Sequence, residues 1–156
     1  MESMTGIERI GNILKRKPVD RIGLFEHFWG DTLKKWQADG YISHDEDLAD
    51  HFGFDMELCW PFNLVADLDF EPQVVEETEE TILVRDGNGA LLRRHKLHDS
   101  TPEHVDFLVK DRMGWEKYIK PLLKPDPRRI NFEAYRKAKE HARKHNRFFA
   151  WSGVNV

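Results

Sequence analysis

The sequence predicts an α/β fold in which a parallel sheet is interrupted by an antiparallel β-meander. Three observations carry this. Short apolar runs at 21–28, at FDMELCW (54–60) and at FFAWSGVNV (148–156) alternate with segments of helical periodicity. Strands spaced by helices pair in parallel through right-handed crossovers, and parallel strands read as continuous apolar runs. Between the second and third runs, the strand-like stretches TILVRD and ALLRRH meet at Asp86-Gly87-Asn88-Gly89, a tight-turn signal that joins antiparallel strands.

Each element follows from local chemistry. Thr5 can cap a helix whose apolar positions are Ile7, Ile10, Ile13 and Leu14, and Glu8, three residues on, completes a capping box. Lys15, Arg16 and Lys17 suit the negative end of that helix, and Pro18 stops it. The run 21–28 reads as a short, fully buried strand. Asp31 caps a helix over 32–38 that Gly40 ends, and a short acidic helix over 45–52 is closed by Gly53. The run 54–60 is the second buried strand, ended by Pro61. Val74-Val75, TILVRD and ALLRRH are three strands of a meander, and TPEHVDFLV is a connector in which Pro102 starts a turn. A helix over 111–123 carries Trp115, Tyr118, Ile119 and Leu122 on one side; Pro121 breaks its last turn, and Pro125 and Pro127 stiffen the link beyond. Asn131 caps a helix running to about His145, with Phe132, Tyr135, Ala138 and Ala142 at three-to-four spacing and Lys and Arg on its solvated faces. The run 148–156 is the third strand.

Composition sets the class. At 156 residues, 40% hydrophobic and 12% aromatic, the chain has the content of one globular domain. Twenty-four Lys and Arg against 28 Asp and Glu leave a formal charge of −4, which gives no drive toward nucleic acid or anionic membrane. No apolar run approaches the roughly 18 residues of a membrane helix, and no basic-then-apolar leader opens the chain. A single cysteine, Cys59, excludes an internal disulfide and fits a reducing compartment, so a cytoplasmic setting is expected. The helices are too few to cover both faces of a parallel sheet, and the sequence reads as the front part of something larger.

The order of these pieces resembles the uroporphyrinogen decarboxylase superfamily, which includes the decarboxylase of haem synthesis and the corrinoid- or coenzyme-M-dependent methyltransferases. The resemblance is carried by ERIGNILKRKPVDRIGL (8–24), HFGFDMELCW (51–60), the meander with its exit, ETILVRDGNGALLRRH…STPEHVDFLVKDRMGWEKY (80–118), and FFAWSGVNV (148–156). It covers nearly the whole chain and rests on order and spacing rather than on a short signature. DRMGWEKY is more similar to the methyltransferase-type members. The resemblance implies a partial (β/α)₈ TIM barrel: 1–72 as the first two βα units, 73–100 as an inserted meander, and 101–156 as helices leading to the third barrel strand. The strands that complete such a barrel would lie elsewhere, in a missing C-terminal half, a separate chain or another copy of this one. The isolated segment is then expected to be inactive.

In barrel enzymes the reacting groups sit at the carboxyl ends of the strands. Under the resemblance, Glu26 and His27 are the candidate catalytic residues, since imidazole and carboxylate exchange protons near neutral pH. Neighbouring strand residues point to opposite faces, so at most one of the two would look into the barrel. Trp29, Trp60, Asn63, Trp151 and Asn155 are the candidate substrate-binding residues. Glu57 either projects into the barrel or pairs outward with a cation under a helix, the structural role being preferred, and Cys59 is expected to be a small buried hydrophobe rather than a nucleophile or metal ligand. No metal-spaced cluster is evident; His95 with His98, and His141 with His145, lie in charged surface contexts. The methyltransferases bind zinc through His and Cys on later strands, so this segment is expected to bind no cofactor itself, while a complete protein would use zinc and a corrinoid partner. The haem enzyme holds substrate carboxylates with a loop of the form RQAGR, where this sequence has EHFWGD; its essential aspartate stands in a context like FSDIL, where this sequence has CWPFNL, with Phe62 at the matching position. Both departures favour a smaller, less charged substrate. The resemblance therefore implies methyl transfer from a small methylated compound, with uroporphyrinogen decarboxylation and a non-catalytic half-barrel as the alternatives.

Overall fold

Thr5 opens the fold as the capping-box pattern requires. Its hydroxyl accepts from the Glu8 amide at 3.2 Å while the Glu8 carboxylate accepts from the Thr5 amide at 2.9 Å, and α1 runs Gly6–Leu14. Such a cap is worth about 0.5–2 kcal/mol. The computed structural model describes residues 3–152. The remaining helices are α2 (Gly30–Ala38), α3 (Leu48–Phe52), α4 (Arg112–Gly114) and α5 (Phe132–Lys144); the strands are β1 (Met56–Cys59), β2 (Gln73–Glu77), β3 (Thr81–Arg85), β4 (Ala90–His95), β5 (Glu103–Phe107) and β6 (Phe148–Trp151). The described residues are thus mixed α/β, with one two-stranded parallel sheet and one four-stranded antiparallel sheet, neither of them closed. It divides into two units, and the division passes within α2.

The first unit comprises 1–28, 35–63 and 130–156. Its sheet pairs β1 with β6 in parallel, Met56 opposite Phe148 and Cys59 opposite Trp151. Both α1 and α5 pack on the two strands. The second and third apolar runs therefore pair as the sequence predicts. The first does not form a strand. Across 21–28 the backbone is irregular: its link to the next run is the Asp55 amide donating to the Leu24 carbonyl at 2.8 Å, while the Leu24 amide turns to the Asp55 carboxylate, also at 2.8 Å. A side chain thus takes the place of the next rung of a ladder. Instead of pairing, the segment sends Phe25 and Phe28 against Phe54, with ring centroids 6.1 and 6.2 Å apart, and Phe28 also meets Trp36 and Phe52.

Two ion networks tie this unit together. Arg9, 2% exposed, bonds Asp20 at 2.6 Å and also bonds Asp55, which is 3% exposed; Asp55 in turn takes Arg21 at 2.6 Å. Arg147, 4% exposed, reaches Asp47 at 3.0 Å and Glu57 at 2.9 Å and also bonds Asp50. Glu57 pairs with a cation as the sequence suggests. Burial of each guanidinium is sustained by having at least two carboxylates on it.

The second unit comprises 29–34 and 64–129. Its sheet has the order β2-β3-β4-β5, antiparallel throughout, with Thr81 opposite His95 and Ala90 opposite Phe107. The DGNG turn forms as expected: Asp86 Oδ1 accepts from the Asn88 and Ala90 amides at 2.9 and 2.8 Å, and Gly89 sits at φ +74°, a region open to glycine. The connector of the sequence reading is the fourth strand, β5. Every residue of β5 is exposed, with Val105 and Phe107 on one face alternating with His104 and Asp106. The helix over 111–123 is wound in three ways: α4, then a π turn over Trp115–Ile119, then a 3-10 turn over Lys120–Leu122. Pro121 explains the change, since it lacks an amide to donate and its ring would strike the carbonyl four residues back.

Candidate functional site

The carboxyl end of the β1–β6 pair is where barrel chemistry would be sought. Cys59 and Trp151 end the two strands as register partners, and the Ser152 amide donates back to the Cys59 carbonyl at 2.9 Å. Beyond β1, Pro61 accepts from the Asn131 amide at 2.8 Å, and Phe62 bridges Ile130. These bonds hold the exit of β1 against the start of α5 and fix the side chains between them. Trp60 is 54% exposed and Trp151 is 51% exposed. The His27 ring meets Trp60 edge-on with centroids 5.6 Å apart, and Trp151 meets Phe62 at 5.2 Å.

Of the residues singled out in the sequence, His27 and Trp60 are therefore in contact, and Trp151 stands at the same end of the sheet. Glu26 is exposed, and its Oε1 accepts from the His27 backbone amide at 2.8 Å, so it orients the backbone that carries the imidazole. Because 21–28 is not a strand, the argument that the two side chains must point to opposite faces does not apply. Asn63 is exposed at the end of this unit, Trp29 belongs to the second unit, and Asn155 lies outside the described residues. Cys59 is buried, and burial, reinforced by Glu57, pushes its thiol above the ordinary range, as suits a small packed hydrophobe.

Comparison with family models, with curated proteins and with solved structures finds no match to this chain. Its chemistry has to be read from its own residues.

Two further places hold polar groups together. In the second unit a cavity of about 190 Å³ is lined by Asp67, Asp69, Lys124, Asp126 and Arg128. Arg128 spans it, bonding Asp69 at 2.5 Å and Asp126 at 2.8 Å, and these bonds hold both carboxyls below their ordinary range. A neighbouring cavity of similar volume is lined chiefly by Phe70, Leu108, Tyr118, Ile119 and Leu122. Neither brings a base to a nucleophile. In the first unit, Asp47, His141 and His145 each offer one ligand atom, and these atoms lie within 4.8 Å of one another. Sequence reading placed this histidine pair on a charged surface. In the structure both are half-buried, continuing the inner stripe of α5 through Ala138 and Ala142. The signal was the i,i+4 spacing; the third ligand, 94 residues upstream of His141, was invisible in the local pattern.

Proposed function

We propose that the chain forms the N-terminal part of a uroporphyrinogen-decarboxylase-like barrel of the methyltransferase branch, acting with a corrinoid protein on a small methylated substrate. The parallel register of β1 and β6 carries the reading: it sets Cys59 opposite Trp151 at the carboxyl end of adjacent strands, with Trp60 following β1 and the His27 ring against Trp60, and such barrels bind substrate at that end. The outer edges of β1 and β6 have no strand partner among the described residues. A two-stranded parallel sheet is rarely sufficient alone, so further strands, from a longer chain or another subunit, complete it. Those strands would bring the zinc ligands, and the corrinoid would supply the methyl acceptor.

The local chemistry supports the methyltransferase branch over the decarboxylase. The mouth presents indole, phenyl and imidazole groups, which suit a neutral or singly charged methyl donor. The nearest arginine on the 21–28 segment, Arg21, is committed to Asp55 at 2.6 Å. A porphyrinogen with several carboxylates would find no free cation on that segment. Trp60 and Trp151 would enclose the methyl-bearing end, and His27, steadied edge-on by Trp60, would hold or move a proton at the leaving heteroatom.

The test uses the full-length gene product with cob(I)alamin and a panel of methylated amines, alcohols and thiols. Formation of methylcobalamin is expected. Turnover of uroporphyrinogen without corrinoid would replace this reading with decarboxylation. Absence of both activities in an assembly with a second chain would favour the non-catalytic half-barrel.

A further inference from the structure

We propose that Asp47, His141 and His145 form a binding site for a divalent transition metal of the zinc class, clamping α3 to the end of α5. This site is separate from the carboxyl-end site and does not rest on the methyl-transfer reading. Asp47 also bonds Arg147, the residue before β6, at the amino end of the parallel strands, and His141 and His145 face carboxylates that share that guanidinium.

The donor set fits such an ion. Two imidazoles at i,i+4 on one helix with one carboxylate is a recurrent transition-metal triad that leaves positions for water. The ligand atoms lie within 4.8 Å of one another, so small rotations of these side chains close them on one centre. Nε2 of His141 is already 3.6 Å from Oδ2 of Asp47. Asp47 divides its work: Oδ1 caps α3, accepting from the Ala49 and Asp50 amides at 2.8 and 3.2 Å, while Oδ2 faces Arg147 and His141. The ion would use Oδ2 and leave the cap intact.

Two further observations fit a cation at this place. The first is charge. Asp47, Asp50 and Glu57 surround a single guanidinium, and with neutral imidazoles the group keeps two negative charges. A dication balances it, and Arg147 retains Asp50 and Glu57 as partners. The second is His141 Nδ1, a buried atom that makes no hydrogen bond although Glu57 Oε2 lies 3.3 Å away. With Nε2 on a metal, Nδ1 must carry the proton, and a slight ring rotation donates it to Glu57. That is the carboxylate–histidine–metal relay that fixes tautomer and ring orientation in metal sites. The stacked rings of His141 and His145, 4.3 Å apart, present their edges to the same side.

The experiment is titration of the chelator-stripped protein with Co²⁺, followed by visible d–d absorption, then displacement by Zn²⁺ with thermal unfolding as a second readout. Stoichiometric binding is expected, with a Tm rise in saturating Zn²⁺. His141→Gln and His145→Gln should each weaken binding at least about tenfold with an unchanged far-UV spectrum. Asp47→Asn, which preserves a capping side chain, should do the same. Absence of absorption and of a Tm shift would overturn the site. So would undiminished binding in the His141→Gln, His145→Gln double variant, or loss of binding only in a His95→Gln, His98→Gln control.

Discussion

Arg9 and Asp55 form an ion pair that is almost wholly withdrawn from water, with 2% and 3% of their surfaces exposed. Arg9 comes from the middle of α1 and Asp55 immediately precedes β1, so the bond fixes the helix to the start of the parallel sheet. Asp20 shares the guanidinium at 2.6 Å, and Met4 accepts from it through a backbone carbonyl at 2.5 Å. Removing one member of a buried pair leaves an uncompensated charge, which costs about 3–5 kcal/mol. Arg9→Met should fall near the lower end, because Asp55 keeps Arg21. The midpoint of urea unfolding measures this, and a loss within error of zero would mean that the pair contributes nothing to the fold.

The same network sets a dependence on acid. The hydrogen bond from Arg9 holds the Asp20 carboxyl far below its ordinary range; for Asp55, burial opposes ionisation but the bonds from Arg21 and the Leu24 amide outweigh it. Arg147 does the same for Asp50, and for Asp47 against the cost of burial. Carboxyls with depressed folded values bind fewer protons than in the unfolded chain. Their stabilisation is complete above about pH 5 and is lost as pH falls below about 4. Urea midpoints should drop from neutral pH to about pH 3, and Asp20→Asn or Asp55→Asn should flatten that drop. An equally steep acid loss in both variants would place its origin elsewhere.

Two glycines of α1 should respond in opposite ways. A Cβ at Gly6 would collide with the Asp55 carbonyl, which is backbone and cannot turn aside, whereas a Cβ at Gly11 meets nothing within 4 Å. Gly6→Ala should destabilise by about 1–3 kcal/mol through overpacking. Gly11→Ala should stabilise by up to about 1 kcal/mol through helix propensity. Parallel unfolding curves of the two variants decide it; a shift of the same sign in both would mean that α1 does not lie against Asp55 as described.

What was legible in the sequence was local. The Thr5–Glu8 box, the Asn131 cap and the Asp86–Gly89 turn are closed by side chains within four residues, so spacing alone reveals them. The pairing of β1 with β6 was also readable, because continuous apolar runs mark buried parallel strands. The run 21–28 misled because its aromatic residues are apolar for another reason: they feed a cluster of rings, while Asp55 takes the Leu24 amide that a ladder would need. The strand β5 was read as a connector because Pro102 just before it signals a turn and only Val105 and Phe107 alternate with polar residues over so short a span. Of the residues singled out, Trp60 and Trp151 stand at the ends of β1 and β6 as the spacing suggested, whereas His27 reaches Trp60 from an irregular segment. The gathering of Asp47 and Glu57 on Arg147, with His141 against both carboxylates, was not readable, since it joins residues up to 100 apart in sequence.

The contact between His27 and Trp60 gives the proposed site its sharpest test. Both side chains are exposed, and neither supports buried packing, so His27→Gln and Trp60→Ala should move the unfolding midpoint by no more than about 0.5 kcal/mol. Their effect on methyl transfer in the full-length protein should be much larger. Loss of the imidazole removes the proton-handling group, and loss of the indole frees the ring it steadies. Each is expected to lower kcat/KM at least about tenfold, or about 1.4 kcal/mol of transition-state stabilisation. Because the rings touch, with centroids 5.6 Å apart, the two losses should not add: a double-mutant cycle is expected to show coupling of at least about 0.5 kcal/mol. Additive losses would mean that Trp60 binds substrate independently of His27. Unchanged kcat/KM in both single variants would remove the carboxyl end of β1 and β6 from the chemistry altogether.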